Sequence, residues 1–593
     1  MQVCKLTLKF LTAFKRRLGP FAGSVACAGL IGTFSLVMAA RPVAEAKAAA
    51  KAGEKAKAGG NEPIQILTGP PKTVGNPQAP QGGTLYYNLE GEPTTINPIT
   101  STDLYSTYLE AYVLDTLLSR DPDTYEWVPG LAESAEVSPD GKFYTFKLRK
   151  GAVWSDGKPI AAEDVKFSFD AIFDDTYNAA HRRPYFENIE KCEILDPLAV
   201  RFTAKTKYFA TLEQLASGLL ILPKHVYGDA KEGVKKNKTI VGSGPYALEK
   251  YEQGQRIVLA RNKAWWGNSL DFLKGQNNFE RIVFRFVKEE TVQLEMLKKG
   301  EIDYQWRLTP EDYVKKAVGA EWGTKVLKVK TENKAPKSYG YVGWNLRKEM
   351  FKDRNVRVAL QMLMNRPEMI KKFRYDMSLP ATGPWYQQSE YADPSVKAIP
   401  FDPKKAGELL AKAGWKDSDG DGVLDKVIDG QKVSLAFTLD HGNKDFEKYL
   451  TMYQEDLRKA GVKMEIKLLE WNALIKVMDD QSFDAVSLAW GGGAIDYDPK
   501  QIWHSSSAVK GGSNFIGYAN KEVDAQIDEA RQELDKPRRV KLMRKVYAAI
   551  AADAPYAFFF NDKYVLYARS ARMGVTKDSF KYDVGPAAWW AKP

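Results

Sequence analysis

Hydrophobic residues change period sharply between residues 140 and 175. Tyr144, Phe146 and Leu148 alternate with Thr145, Lys147 and Arg149, the pattern of a strand with one buried face. Asp140-Gly141 precedes this strand and Asp156-Gly157 follows Trp154. Both are tight-turn pairs in which glycine supplies a positive φ. Val165, Phe169 and Ile172 then recur at helical spacing, with Glu163 and Asp164 in the first turn, where acids favour the helix dipole. Upstream, Gly82-Gly83-Thr84-Leu85-Tyr86-Tyr87 predicts the first strand, Pro93 and Asn97-Pro98 a loop, and Leu109 to Leu118 a helix. Downstream, Val523, Ile527, Ala530 and Leu534 form one helical stripe, broken at Asp535-Lys536-Pro537, and Pro555 ends the next helix. No internal repeat is present.

The motifs around this block are long and gap-free: Pro129, Leu131-Ala132-Glu133-Ser134, Asp140-Gly141-Lys142, Leu148-Arg149, Trp154, Asp156-Gly157, Pro159, Asp164-Val165 and Ser168. They resemble the family 5 solute-binding proteins of bacterial ABC importers, the group that includes oligopeptide- and dipeptide-binding proteins. Gly242-Ser243-Gly244-Pro245-Tyr246, Asn355-Val356-Arg357-Val358-Ala359-Leu360, Asp402-Pro403 and Asn514-Phe515 extend the resemblance from about Gly82 to the C-terminus. Met350 stands where the family has proline, and Asn365-Arg366 where it has Asp-Arg. The resemblance implies an α/β periplasmic-binding-protein fold of class II-like type, with three lobes and a cleft between lobes I and III. Lobe I is expected from 83–118, 235–334 and a return at 561–593, lobe II from 119–234, and lobe III from 335–560. Hinge crossings are expected near Asn333–Ser338 and Phe559–Asp562.

Composition changes this picture little. A hydrophobic fraction of 44% and a charged fraction of 27% are those of a globular protein. The net charge of +11 suggests nucleic acid only until it is located: residues 1–60 hold ten Lys/Arg and two acids, so +8 of it lies there. Residues 1–40 read as a signal peptide or membrane anchor, with a basic Lys5–Arg17 region before an apolar run from Leu18 to Ala40. Cleavage after an A-x-A-like site such as Ala44-Glu45-Ala46 competes with an uncleaved span and with a lipoprotein-like Cys27. Residues 41–80, rich in Ala, Lys, Gly and then Pro, read as a flexible linker. Of three cysteines only Cys192 lies past the leader, so the rest of the chain has no disulfide framework. A monomeric protein of the periplasm is expected.

Enzyme signatures are absent: there is no G-x-S-x-G, H-E-x-x-H, P-loop or Rossmann fingerprint, and there are only four histidines. Neither catalysis nor a cofactor is expected. Asp417, Asp419, Asp421 and Asp425 imitate a calcium loop, but Ile428 stands where the bidentate Glu belongs, so a solvated turn competes with a weak cation loop, and no metal site is expected.

The remaining chemistry lies at Trp490-Gly491-Gly492-Gly493-Ala494-Ile495-Asp496-Tyr497-Asp498-Pro499, a short strand end, a glycine-rich loop and an acidic turn. Glycine at a strand end lets a ligand backbone come close. By the resemblance, Asp496 pairs with the α-amine of a bound peptide, Tyr497 and Trp490 belong to the same segment, and Trp471 matches a position that borders the cleft; Trp503 is a second aromatic candidate there. The loop is longer than in the family and the spacing from Tyr497 to Pro499 is shorter, which leaves Asp498 as an alternative, and a third reading in which neither aspartate meets a ligand and the acidic turn only caps the loop before Pro499. The implied function is delivery of oligopeptides to ABC permease subunits in the inner membrane. The alternatives are another solute (an oligosaccharide, an opine-like compound or a metal chelate) or a periplasmic signalling or chaperone-like receptor.

Overall fold

The computed structural model describes residues 63–593 except Thr68. The expected export segment and most of the expected linker lie outside the described residues. Within them, no helix is long and apolar enough to cross a membrane.

Three sheets of four or more strands organise the described chain. The seven-stranded sheet runs, in spatial order, Val326–Thr331, Val565–Ser570, Tyr304–Gln305, Thr84–Leu89, Arg281–Phe286, Arg256–Arg261 and Tyr246–Glu252. The five-stranded sheet runs Ile64–Gln65, Ala132–Val137, Phe143–Leu148, Ala199–Ala204 and Ile189–Asp196. The six-stranded sheet runs Ser378–Pro380, Tyr556–Asp562, Tyr339–Trp344, Ala485–Trp490, Ala436–His441 and Lys463–Leu468. Helices cover them, so the expected α/β class is the observed one. The chain passes from the seven- to the six-stranded sheet through residues 332–338 and returns through 563–564.

The 140–175 block folds as its periodicity predicts. Tyr144, Phe146 and Leu148 are buried in one cluster with Val165, Phe169 and Ile172 of the helix Ala162–Phe173. Trp154 has no exposed surface, and its indole N–H donates to Asp164 Oδ2 at 3.4 Å. The same oxygen accepts from the Ala161 amide at the helix start, and Oδ1 accepts from the Lys224 amide. Asp156 bonds His225 at 2.6 Å. These motif residues hold turns, caps and lobe packing together.

Three expectations are corrected. The second crossing, expected near Phe559–Asp562, falls at 563–564 instead, because Phe559–Asp562 is still paired within strand Tyr556–Asp562 of the six-stranded sheet. The helix placed at Leu109–Leu118 runs from Leu104 to Val113, because Asp103 caps it through the Ser106 amide. It stops where the Gly242–Gly244 turn crosses its end, with the Gly244 amide donating to the Val113 carbonyl at 2.9 Å. A Cβ on Gly242 would lie 1.9 Å from that carbonyl oxygen, so glycine is required there. The linker also does not extend unstructured to residue 80. Ile64 and Gln65 pair with Val137 and Glu136, and Ile66 and Leu67 pack on the core beneath that sheet. The apolar Ile66 and Leu67 side chains give this stretch a face to dock with.

Candidate functional site

Trp490 ends a central strand of the six-stranded sheet, opposite Tyr339, the first residue after the 332–338 crossing. The glycine-rich loop therefore starts where the chain passes between sheets. A Cβ on Gly492 would lie 2.5 Å from the Pro336 carbonyl carbon, so the loop is pressed directly onto the crossing backbone. Beside it the Lys337 ammonium is buried, donating to the Asn333 carbonyl at 2.7 Å, Asn333 Oδ1 at 3.1 Å and the Ala335 carbonyl at 3.1 Å. Burial pushes its pKa down to about 8, against the attraction of Asp562 and Glu332.

The two aspartates of the loop differ in what they have left to offer. Asp496 Oδ1 accepts the Tyr391 hydroxyl at 2.5 Å. Burial and then the Asp496 charge hold the Tyr391 hydroxyl protonated, well above the usual phenol range. Among the described residues no donor reaches Asp496 Oδ2: the nearest cations, Arg120 and Arg539, stand 3.9 Å away, and Lys536 is 3.8 Å from Oδ1. Each cation has a nearer partner. Arg120 pairs with Glu213 at 2.5 Å and lies 3.4 Å over the Trp127 ring; Lys536 pairs with Glu390 at 2.5 Å; Arg539 donates to the Glu533 carbonyl at 2.9 Å. Asp498 has both oxygens in use. Oδ1 accepts the Lys500 amide at 3.0 Å, and Oδ2 accepts the Tyr208 hydroxyl at 2.7 Å and Arg531 Nε at 2.9 Å.

The aromatic candidates separate. Trp490 is half-buried in a stack with Tyr341 and Phe515, at centroid distances of 6.1 and 6.0 Å. The Tyr497 ring lies 5.1 Å from Trp385, and its buried hydroxyl has no partner among the described residues. Trp503, expected to border a cleft, instead lies wholly inside the core against Tyr556 and Tyr518, because the short helix Lys500–Trp503 turns it inward. Trp471 is 49% exposed at the start of the helix Trp471–Asp479. It faces Gly442 and shares no ring contact with the 490–499 loop among the described residues. His504 bonds the Ser506 amide and Asp528, a structural role. In the 417–425 turn, the Lys432 ammonium pairs with both Asp419 and Asp425, and Asp417 accepts the Gly420 and Gly422 amides. The carboxylates of that turn thus already have protein partners.

Sequence reading missed Tyr391, Arg120, Arg539, Tyr208 and Arg531. They come from segments up to about four hundred residues apart and share no spacing, so only the fold brings them to the loop.

The family model for bacterial extracellular solute-binding proteins, family 5 Middle, matches residues 126–512. The oligopeptide-binding protein AppA of Bacillus subtilis (strain 168) is 31% identical over 503 residues, 82% of this chain and 88% of AppA. The structure of AppA from Bacillus subtilis in complex with a nonapeptide matches at a TM-score of 0.67 and 28% identity, covering 87% of this chain and all of AppA. That of NikZ from Campylobacter jejuni in complex with Ni(L-His) matches at 0.66 and 26%, covering 86% of this chain and 99% of NikZ.

Proposed function

The chain belongs to family 5 of the bacterial extracellular solute-binding proteins, and on that premise we propose that it is an exported periplasmic receptor. It takes oligopeptides between the seven- and six-stranded sheets and delivers them to an ABC permease in the inner membrane. No bond is made or broken; the ligand biases an open–closed equilibrium by binding the closed form better. The crossings at 332–338 and 563–564 serve as the hinge.

The observation that carries this reading is Asp496 Oδ2. Its carboxylate is oriented by Tyr391 through the other oxygen, it is nearly enclosed, and it still has an acceptor site to fill. An α-ammonium desolvated on cleft closure needs such a partner, and a charge-assisted bond of about 2.8 Å brings it closer than the 3.9 Å at which Arg120 and Arg539 stand. Main-chain bonds of the strand-addition kind make the rest of the recognition tolerant of sequence.

A metal chelate is the second reading, favoured by the likeness to NikZ in complex with Ni(L-His). Native mass spectrometry of the purified protein, followed by denaturation and identification of what is released, separates the two. A mixed population of short peptides supports the first reading, and a single metal complex or a sugar overturns it. Asp496→Asn is expected to weaken peptides with a free amine and to spare N-acetylated ones.

A further inference from the structure

A loop at the end of strand Ala199–Ala204 reaches from the five-stranded sheet to the six-stranded lobe. Its base is braced by Asn188, which accepts the Thr206 amide and hydroxyl and donates to the Thr206 carbonyl and to Thr211 Oγ1. Its tip carries Tyr208 and Phe209. The Tyr208 hydroxyl donates to Asp498 Oδ2 at 2.7 Å, and the Arg531 guanidinium lies 4.5 Å over the Tyr208 ring while donating to the same oxygen at 2.9 Å. The Phe209 amide donates to the Arg531 carbonyl at 2.9 Å. That carbonyl belongs to the last turn of the helix Lys521–Gln532, where carbonyls lack partners within the helix. Arg539 lies 4.6 Å over the Phe209 ring.

We propose that Tyr208 and Phe209 form a latch that docks on Asp498 and Arg531 when the lobes close, which makes Asp498 a positioning residue for the closed state and leaves ligand contact to Asp496. The contact is suited to reversal. It consists mainly of hydrogen bonds and cation–π contacts at side chains that keep 22–28% exposure at Asp498 and Arg531, so water can replace each bond when the surfaces part. A permanent lobe interface would instead be expected to be large and apolar. Both ends are anchored, the loop through the Asn188 bonds and the receiving side at the end of the helix Lys521–Gln532. The Tyr208 hydroxyl stays a donor because burial, and then the Asp498 charge, raise its pKa well above the phenol range.

The inference rests on the reading of the chain as a receptor whose lobes close, and its test is made on ligand-stripped protein, without reference to what the ligand is. Hydrogen exchange at the Phe209 amide reads the latch directly, and small-angle scattering reads lobe separation. Phe209 is expected to exchange at least tenfold faster than the interior of strand Ala199–Ala204. Tyr208→Phe and Asp498→Asn are each expected to speed it a further several-fold and to enlarge the radius of gyration, with the double variant adding little to the stronger single one. Phe209 exchange as slow as that of the strand, or variants that leave both exchange and radius unchanged, would overturn the latch. If Asp498→Asn does not fold, Tyr208→Phe alone decides. Should the latch fail while short peptides are released from the native protein, the receptor reading stands.

Discussion

The Tyr391 hydroxyl donates to Asp496 Oδ1, so one oxygen of the carboxylate is held while the other has no donor nearer than Arg120 and Arg539 at 3.9 Å among the described residues. Tyr391→Phe removes that hold without removing the charge. The expected result, by calorimetry with a short peptide bearing a free amine, is a several-fold loss of affinity. It should be smaller than the loss on Asp496→Asn, for which roughly tenfold or more is expected. A Tyr391→Phe variant that binds as poorly as Asp496→Asn would show that orientation outweighs charge.

Gly492 touches the Pro336 backbone so closely that any Cβ must move one of the two segments. Gly492→Ala should cost about 1–3 kcal/mol of stability by denaturant unfolding. Because the displaced segment is the crossing between sheets, it should also change ligand affinity, unlike Gly407→Ala, where a Cβ meets nothing within 4 Å.

Lys337 gives the crossing a pH signature. Its folded pKa is pushed down to about 8 by burial, whereas the unfolded chain keeps the proton to about 10.5. Between those values the unfolded state binds more protons, so stability rises with pH. Relative to Lys337→Met, the wild type should gain on the order of 1–3 kcal/mol between pH 8 and pH 10.5. Urea unfolding of both proteins across that range measures it, and parallel curves would show that Lys337 keeps an ordinary pKa.

Asp164 accepts from the Ala161 and Lys224 amides and from the Trp154 indole. Asp164→Ala leaves three enclosed donors without that partner and should cost about 2–4 kcal/mol. Ligand affinity measured below the melting transition should be unchanged, because these bonds lie within the five-stranded lobe and its neighbouring loop.

Local physics made the 140–175 block readable. Tyr144, Phe146 and Leu148 alternate at the strand period, Gly141 and Gly157 adopt positive φ at their turns, and Val165, Phe169 and Ile172 line one helix face. Each of these depends on neighbours within a few residues. The helix Leu104–Val113 begins and ends five residues before the expected span, because its cap is Asp103 and its stop is set by the distant Gly244. Trp503 shows the same limit: the sequence places a large aromatic shortly after the loop, but only packing says that it faces Tyr556.

By itself, the amino-acid sequence determined the α/β class and the family, through periodicity, turn glycines and long motifs that act over short spans of chain. It also singled out the 490–499 loop. Which of that loop's two carboxylates keeps an oxygen without a donor among the described residues was decided only by the tertiary structure. Tyr391, Arg120 and Arg539 gather around Asp496, and Tyr208 and Arg531 occupy Asp498, from positions as distant as Arg120, 376 residues before Asp496. Hydrogen-bond capacity is a property of an atom's surroundings, and for Asp496 and Asp498 those surroundings are assembled by the packing of lobes rather than by neighbours in the chain.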